Sequence, residues 1–169
     1  MSFIKVLNKQ YSEVNALPNL INYCLNDKDY YGEVYQKIIN AVYLLNPVSM
    51  ERLIYDFNKV KEMYNQTNGR QLYHLVISIY VRNMSFDIRE NYTRMIIETV
   101  GSVIANSGHQ CLLFAHIKND GNIHIHVIIN NINYRDGKRL HDTKIYFDKL
   151  NNVLKNEYRE LCWESVRYE

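Results

Sequence analysis

The chain has 169 residues, 47% hydrophobic and 22% charged, enough for one domain with its own core and inconsistent with a disordered chain. A net charge of +2 and a pI near 8.3 exclude a strongly basic, field-driven nucleic-acid binder, so any contact with DNA must be local. Tyrosine is over-used, with fifteen copies; most fit the edges of a core, although such rings can also stack on bases.

Residues 3–6 read as a short strand, and residues 19–25 as a helix with Leu20, Ile21 and Leu25 on its apolar side. Residues 38–45 are apolar and fit either a strand or a helix, ended by Asn46-Pro47. Ser49 is placed to cap a helix carrying Leu53, Ile54, Phe57, Val60, Met63 and Tyr64, which should stop near Asn68-Gly69. Residues 71–81 are rich in β-branched side chains and predict a strand. Asp87 with Glu90 resembles a capping box for a helix through Ile88, Tyr92, Met95, Ile96, Val100, Val103 and Ile104, ending near Ser107-Gly108. Residues 110–117 and 123–132 form the clearest hairpin. Asp142 or Thr143 then starts a last helix with Ile145, Leu150, Val153, Leu154, Tyr158 and Leu161. This order predicts an α+β fold, a central antiparallel sheet flanked by helices, in one domain over residues 1–169.

The three cysteines, Cys24, Cys111 and Cys162, form no CxxC pair, and the first residues carry no long apolar run before a small-residue cleavage site. No stretch approaches the ~20 apolar residues of a membrane span. The expectation is a cytoplasmic protein with reduced cysteines and no membrane partner.

Histidines carry the chemistry. Alternation along residues 123–130 puts His124 and His126 on one face of a strand and Ile123, Ile125, Val127 and Ile129 on the other. Two imidazoles two residues apart can share a metal ion. Whether His116 joins them depends on register. A two-residue Asp120-Gly121 turn pairs His116 with Ile125 and turns it to the apolar face. A three-residue Asn119-Asp120-Gly121 loop pairs His116 with His124, and also sends Leu113, Ala115 and Ile117 to the apolar face. The apolar pattern and a three-histidine site therefore ask for the same loop. Three imidazoles leave coordination positions open, as catalysis at a metal requires. The competing reading is three surface histidines on a solvated sheet face.

The run His116-x7-His124-x-His126, continued by Asn130, resembles the third motif of plasmid-mobilisation relaxases of the HUH superfamily, MobP class, which commonly read H-x-D-x-D-N-x-H-x-H-x-x-x-N. Asp120 and Asn122 match; Lys118 stands where the first aspartate is usual. Tyr73-His74-Leu75-Val76-Ile77-Ser78 is similar to the family's YH-x-x-x-S strand, and Leu140-His141-Asp142 with the last helix to the segment that closes its domain. Asn22-Tyr23-Cys24-Leu25-Asn26-Asp27-Lys28 resembles a shortened Y-I-x-N-x-x-K motif.

The resemblance implies an HUH-endonuclease fold and metal-dependent nicking and rejoining of single-stranded DNA at a transfer origin. It makes Tyr23 the nucleophile and His116, His124 and His126 the ligands of a divalent ion (Mn, Mg or Zn), with relaxosome accessory proteins as further partners. Tyr30, Tyr31 and Tyr11 are rival nucleophiles. His74 and Asn130 are candidates to orient a ligand or touch DNA, and the basic turn Arg135, Lys138 and Arg139 to contact phosphates. His141 fits a helix cap or a phosphate contact, and His109 is assigned nothing. Two alternatives remain. One is a replication-initiator-type HUH endonuclease, with the nucleophile late in the chain at Tyr158; the other is a catalytically silent DNA-binding module of the same fold.

Overall fold

The computed structural model describes residues 1–26, 37–42, 50–81, 83–117 and 122–169. Strands β1 (Phe3–Leu7), β2 (Lys37–Val42), β3 (Leu72–Tyr80), β4 (His109–Ile117), β5 (Asn122–Asn133) and β6 (Arg167–Tyr168) form one sheet. Helices α1 (Ala16–Asn26), α2 (Met50–Met63), α3 (Phe86–Asn106) and α4 (Thr143–Glu157) complete the α+β architecture. The strand order is β2-β4-β5-β3-β1-β6. Pairing is antiparallel from β2 to β1, and parallel where β6 joins β1.

Alternation divides the sheet into two faces. One carries Ile4, Leu75, Ile77, Leu113, Ala115, Ile123, Ile125 and Val127, packed with α3 and α4 into the larger core. The other carries Leu72, Leu112, Phe114 and Ile128 beneath Leu17, Leu20, Ile21 and Cys24 of α1 and Leu53 and Phe57 of α2. The histidine face is therefore also a core face, covered by helices rather than left to water.

Local chemistry explains where the elements depart from the expected bounds. Helix α1 begins at Ala16, before the expected start, because Pro18 falls in its first turn, where its missing N–H costs no intrahelical bond. Its buried stripe is Leu17, Leu20, Ile21 and Cys24, whereas Leu25 is only partly covered. Residues 37–42 are a strand, settling that ambiguity. Helix α2 ends at Met63, short of Asn68-Gly69, since Asn65 takes a left-handed φ of 53° and stops it there. Ser49, its expected cap, lies outside the described residues. The cap of α3 is Ser85, whose Oγ accepts from the Ile88 amide, and not an Asp87–Glu90 box. Asp142 precedes α4 in a left-handed conformation and makes no side-chain cap bond.

Candidate active site

The described pairing is the register that the histidines require: His116 faces His124 across β4 and β5, and Ile117 faces Ile123. The loop residues 118–121, including Lys118 and Asp120, lie outside the described residues. On the other side of β5, His124 faces Ser78 of β3 and His126 faces Val76. His116, His124 and His126 thus share one face at the end of the sheet's central strands. His116 is 1% and His126 4% exposed, and their ring centroids are 5.3 Å apart. His124 is partly exposed. The reading of three solvated surface histidines does not survive this burial.

A fourth imidazole joins them. His74, 1% exposed on β3, stacks on His126 with centroids 5.3 Å apart, and its Nε2 is 3.0 Å from His126 Nδ1. At that distance one nitrogen donates and the other accepts. The Nδ1 of His74 is in turn 3.0 Å from the Tyr11 hydroxyl. Burial, and the neighbouring His126, push the His74 pKa down to about 3, so its ring is neutral. Burial pushes the Tyr11 phenol up to about 12, helped by the neighbouring Cys24 and Tyr23. In this setting Tyr11 is a hydrogen-bonding phenol held against His74.

Helix α1 lies over this end of the sheet. Tyr23 is 50% exposed and presents its ring edge-on to His126, with centroids 5.7 Å apart and planes at 85°. The next residue, Cys24, is fully buried. One donor atom from each of Cys24, His74 and His126 lies within 4.8 Å of the others, a convergence among the described residues that does not include His116 or His124. Beside them opens a cavity of about 460 Å³ between the β1–α1 segment and α1, lined in part by Lys9, Tyr11, Asn19, Tyr23 and His74.

Other expected site residues lie elsewhere. Asn130 is fully buried: its Nδ2 donates to the Phe57 carbonyl (3.0 Å) and Gln110 Oε1 (2.8 Å), and its Oδ1 accepts from Ile132 N. It ties β5 to α2 and β4 and is not placed to touch DNA or orient a ligand. The basic turn follows β5, and ~23 Å of strand separates His126 from the strand's end at Asn133. Arg135 donates to the Asn106 and Ala105 carbonyls at the end of α3. Arg139 donates to Gln66 Oε1 and to the Asn68 and Arg70 carbonyls. Both guanidiniums clamp the fold, and Lys138 pairs with Asp136. The turn thus lies past the far end of β5 from the histidines.

Tyr158 is 4% exposed, bonded to Thr99 at 2.8 Å, and belongs to the core on the opposite face of the sheet. This removes it as a nucleophile for the histidine site. Tyr30 and Tyr31 lie outside the described residues. His141 is exposed ahead of α4, and His109 is bonded to the Asn130 carbonyl at 2.9 Å. Sequence reasoning named Tyr11 only as a rival nucleophile and missed its contact with His74, and it missed Cys24 as a potential metal donor. Cys24 carried a signal, the i+4 spacing from Leu20 along a buried helix stripe; Tyr11 carried none.

A relaxase family model, described as MobA/VirD2-like, nuclease domain, matches residues 23–163. Among solved structures, a chain from "Molecular Basis of Vancomycin Resistance Transfer in Staphylococcus aureus" is similar in fold, with a TM-score of 0.52 and 15% identity, over 100% of this chain and 97% of that one. No curated protein matches the chain. No helix among the described residues is long and apolar enough to cross a membrane.

Proposed function

The chain belongs to the MobA/VirD2-like relaxases, the DNA-nicking domains of plasmid mobilisation and conjugation, and we propose that it cuts and rejoins one DNA strand through Tyr23. The observation that carries this reading is the edge-on approach of Tyr23 to His126, on the face shared by His116 and His124.

His116, His124 and His126 would hold the divalent ion, and their donor chemistry fits one: three imidazoles on paired strands of one sheet, two of them buried. An all-imidazole set favours borderline ions, so Mg is the weakest match among Mn, Mg and Zn. When bound, the ion would polarise a non-bridging phosphate oxygen and offset the charge of the transition state.

Tyr23 Oη forms a bond to phosphorus as the bond to the 3′-oxygen breaks. The proton of the phenol is balanced by the one that the departing 3′-hydroxyl gains, and the 5′ end stays on the tyrosine. Half-exposure suits this role, since the ring can meet an extended single strand while keeping its edge against His126. In the tautomer where His126 Nδ1–H donates to His74 Nε2, one of the two that the 3.0 Å contact allows, the Nε2 lone pair of His126 is left for the ion. Residues 1–169 act in this reading as one cytoplasmic domain, with single-stranded DNA at a transfer origin and relaxosome proteins as partners.

The test is incubation with a single-stranded origin oligonucleotide and manganese, followed by mapping of the covalent adduct. An adduct on Tyr23 is expected; an adduct on Tyr30 or Tyr31 moves the nucleophile. Binding without any adduct would leave a silent DNA-binding module and overturn the proposal.

A further inference from the structure

His126 belongs to two candidate donor groups. The proposed nicking ion uses the set His116, His124 and His126. On the other side, Nδ1 of His126 faces His74 Nε2 at 3.0 Å, with Cys24 completing a group of donors within 4.8 Å. Cys24 and His74 have no part in holding the first ion directly.

We propose that Cys24, His74 and His126 form a second, inhibitory site for a thiophilic divalent ion such as zinc. The site rests on the nicking reading only for its consequence, inhibition; the binding itself stands alone. Three arguments carry it. A thiolate with two imidazoles is a donor set that selects zinc over oxygen-seeking ions. Two nitrogens on one zinc, each ~2.0–2.1 Å from it, sit ~3.3 Å apart in tetrahedral geometry, so the imidazoles need to separate by only a few tenths of an ångström. The adjoining cavity is lined by one of the three ligands, His74, together with Tyr11 and Tyr23, so the site borders open space on its His74 side.

The two ions exclude each other for a protonation reason. A neutral imidazole carries one proton. With the nicking ion on Nε2 of His126, that proton sits on Nδ1 and is donated to His74. Zinc on Nδ1 displaces it to Nε2, which then has no lone pair to offer. The Cys24 thiol loses its proton to solvent as the zinc–sulfur bond forms, so one proton is released per ion bound. No change of redox state is involved.

Cobalt(II) reports the site, because a cobalt–thiolate bond gives a near-ultraviolet charge-transfer band that imidazole ligands do not. Wild type titrated with cobalt should show the band, Cys24→Ser should lose it, and His124→Ala should keep it. Zinc should compete away bound manganese and inhibit nicking in wild type. Cys24→Ser and Cys24→Ala, with circular dichroism like wild type, should bind manganese normally and need at least about tenfold more zinc for the same effect. A wild type without the band, a band that persists in Cys24→Ser, or equal zinc sensitivity in both proteins overturns the site. Failure of manganese to bind any protein, with the cobalt band intact, would overturn the nicking reading and leave zinc binding standing.

Discussion

Replacing His74 with leucine tests the link between the sheet and the proposed metal. The substitution removes the ring nitrogen 3.0 Å from His126 Nδ1, its acceptor in the proposed tautomer, in a setting where His74 is 1% and His126 4% exposed. Losing the partner of a buried donor costs ~1–3 kcal/mol. That cost falls only on the tautomer with hydrogen on Nδ1, the one that offers Nε2 to the ion. At 1.36 kcal/mol per factor of ten, manganese affinity should fall by ~5- to 150-fold, in line with the ~10–100-fold seen when orienting partners of metal ligands are lost. The assay is manganese titration followed by electron paramagnetic resonance, with long-range nitrogen–proton NMR on the metal-free protein to read the His126 tautomer. His74→Gln retains an acceptor near the Nε2 position and should recover most of the affinity. A folded His74→Leu protein that binds manganese like wild type, with His126 still protonated on Nδ1, would refute the reasoning.

Tyr23→Phe should abolish the covalent adduct while leaving manganese binding intact, and should change stability by no more than ~0.5 kcal/mol because the ring is half exposed. Tyr158→Phe should keep the adduct but lose ~1 kcal/mol in urea unfolding, from the hydrogen bond to Thr99. Arg139→Met should lower the melting temperature, since three acceptors lose their donor, yet leave the salt dependence of DNA binding unchanged; a shallower slope would return the turn to the DNA interface. For the metal-free protein, the His74 pKa is about 3 when folded against an ordinary value of 6.5. The unfolded chain therefore binds the extra proton first, and stability should drop as pH falls below about 6.5. His74→Leu should flatten that part of the pH profile, as measured by urea midpoints.

Much of the site's local order could be read from the chain alone. Two-residue alternation put His124 and His126 on one face, and the need to bury Leu113 and Ala115 with Ile123 and Ile125 chose the register that brings in His116. These are period and pairing rules that act over a single hairpin. Helix existence followed from apolar spacing, while helix ends moved by several residues because a proline in a first turn, a left-handed asparagine and a serine cap act one residue at a time.

What only the tertiary structure decided is which distant residues meet that hairpin. Strand β3 lies beside β5, so His74 touches His126 across 52 positions of chain, and the β1–α1 segment brings Tyr11 to His74 across 63. Helix α1 covers the histidine face, which sets Tyr23 and Cys24 over the same ring; burial on the other face excludes Tyr158. Polar side chains such as Asn130 and Arg139 show the converse, since their donors are spent on backbone carbonyls that no local pattern identifies. The histidines were legible because a strand's periodicity displays them; their partners were not, because packing between elements leaves no period in the sequence.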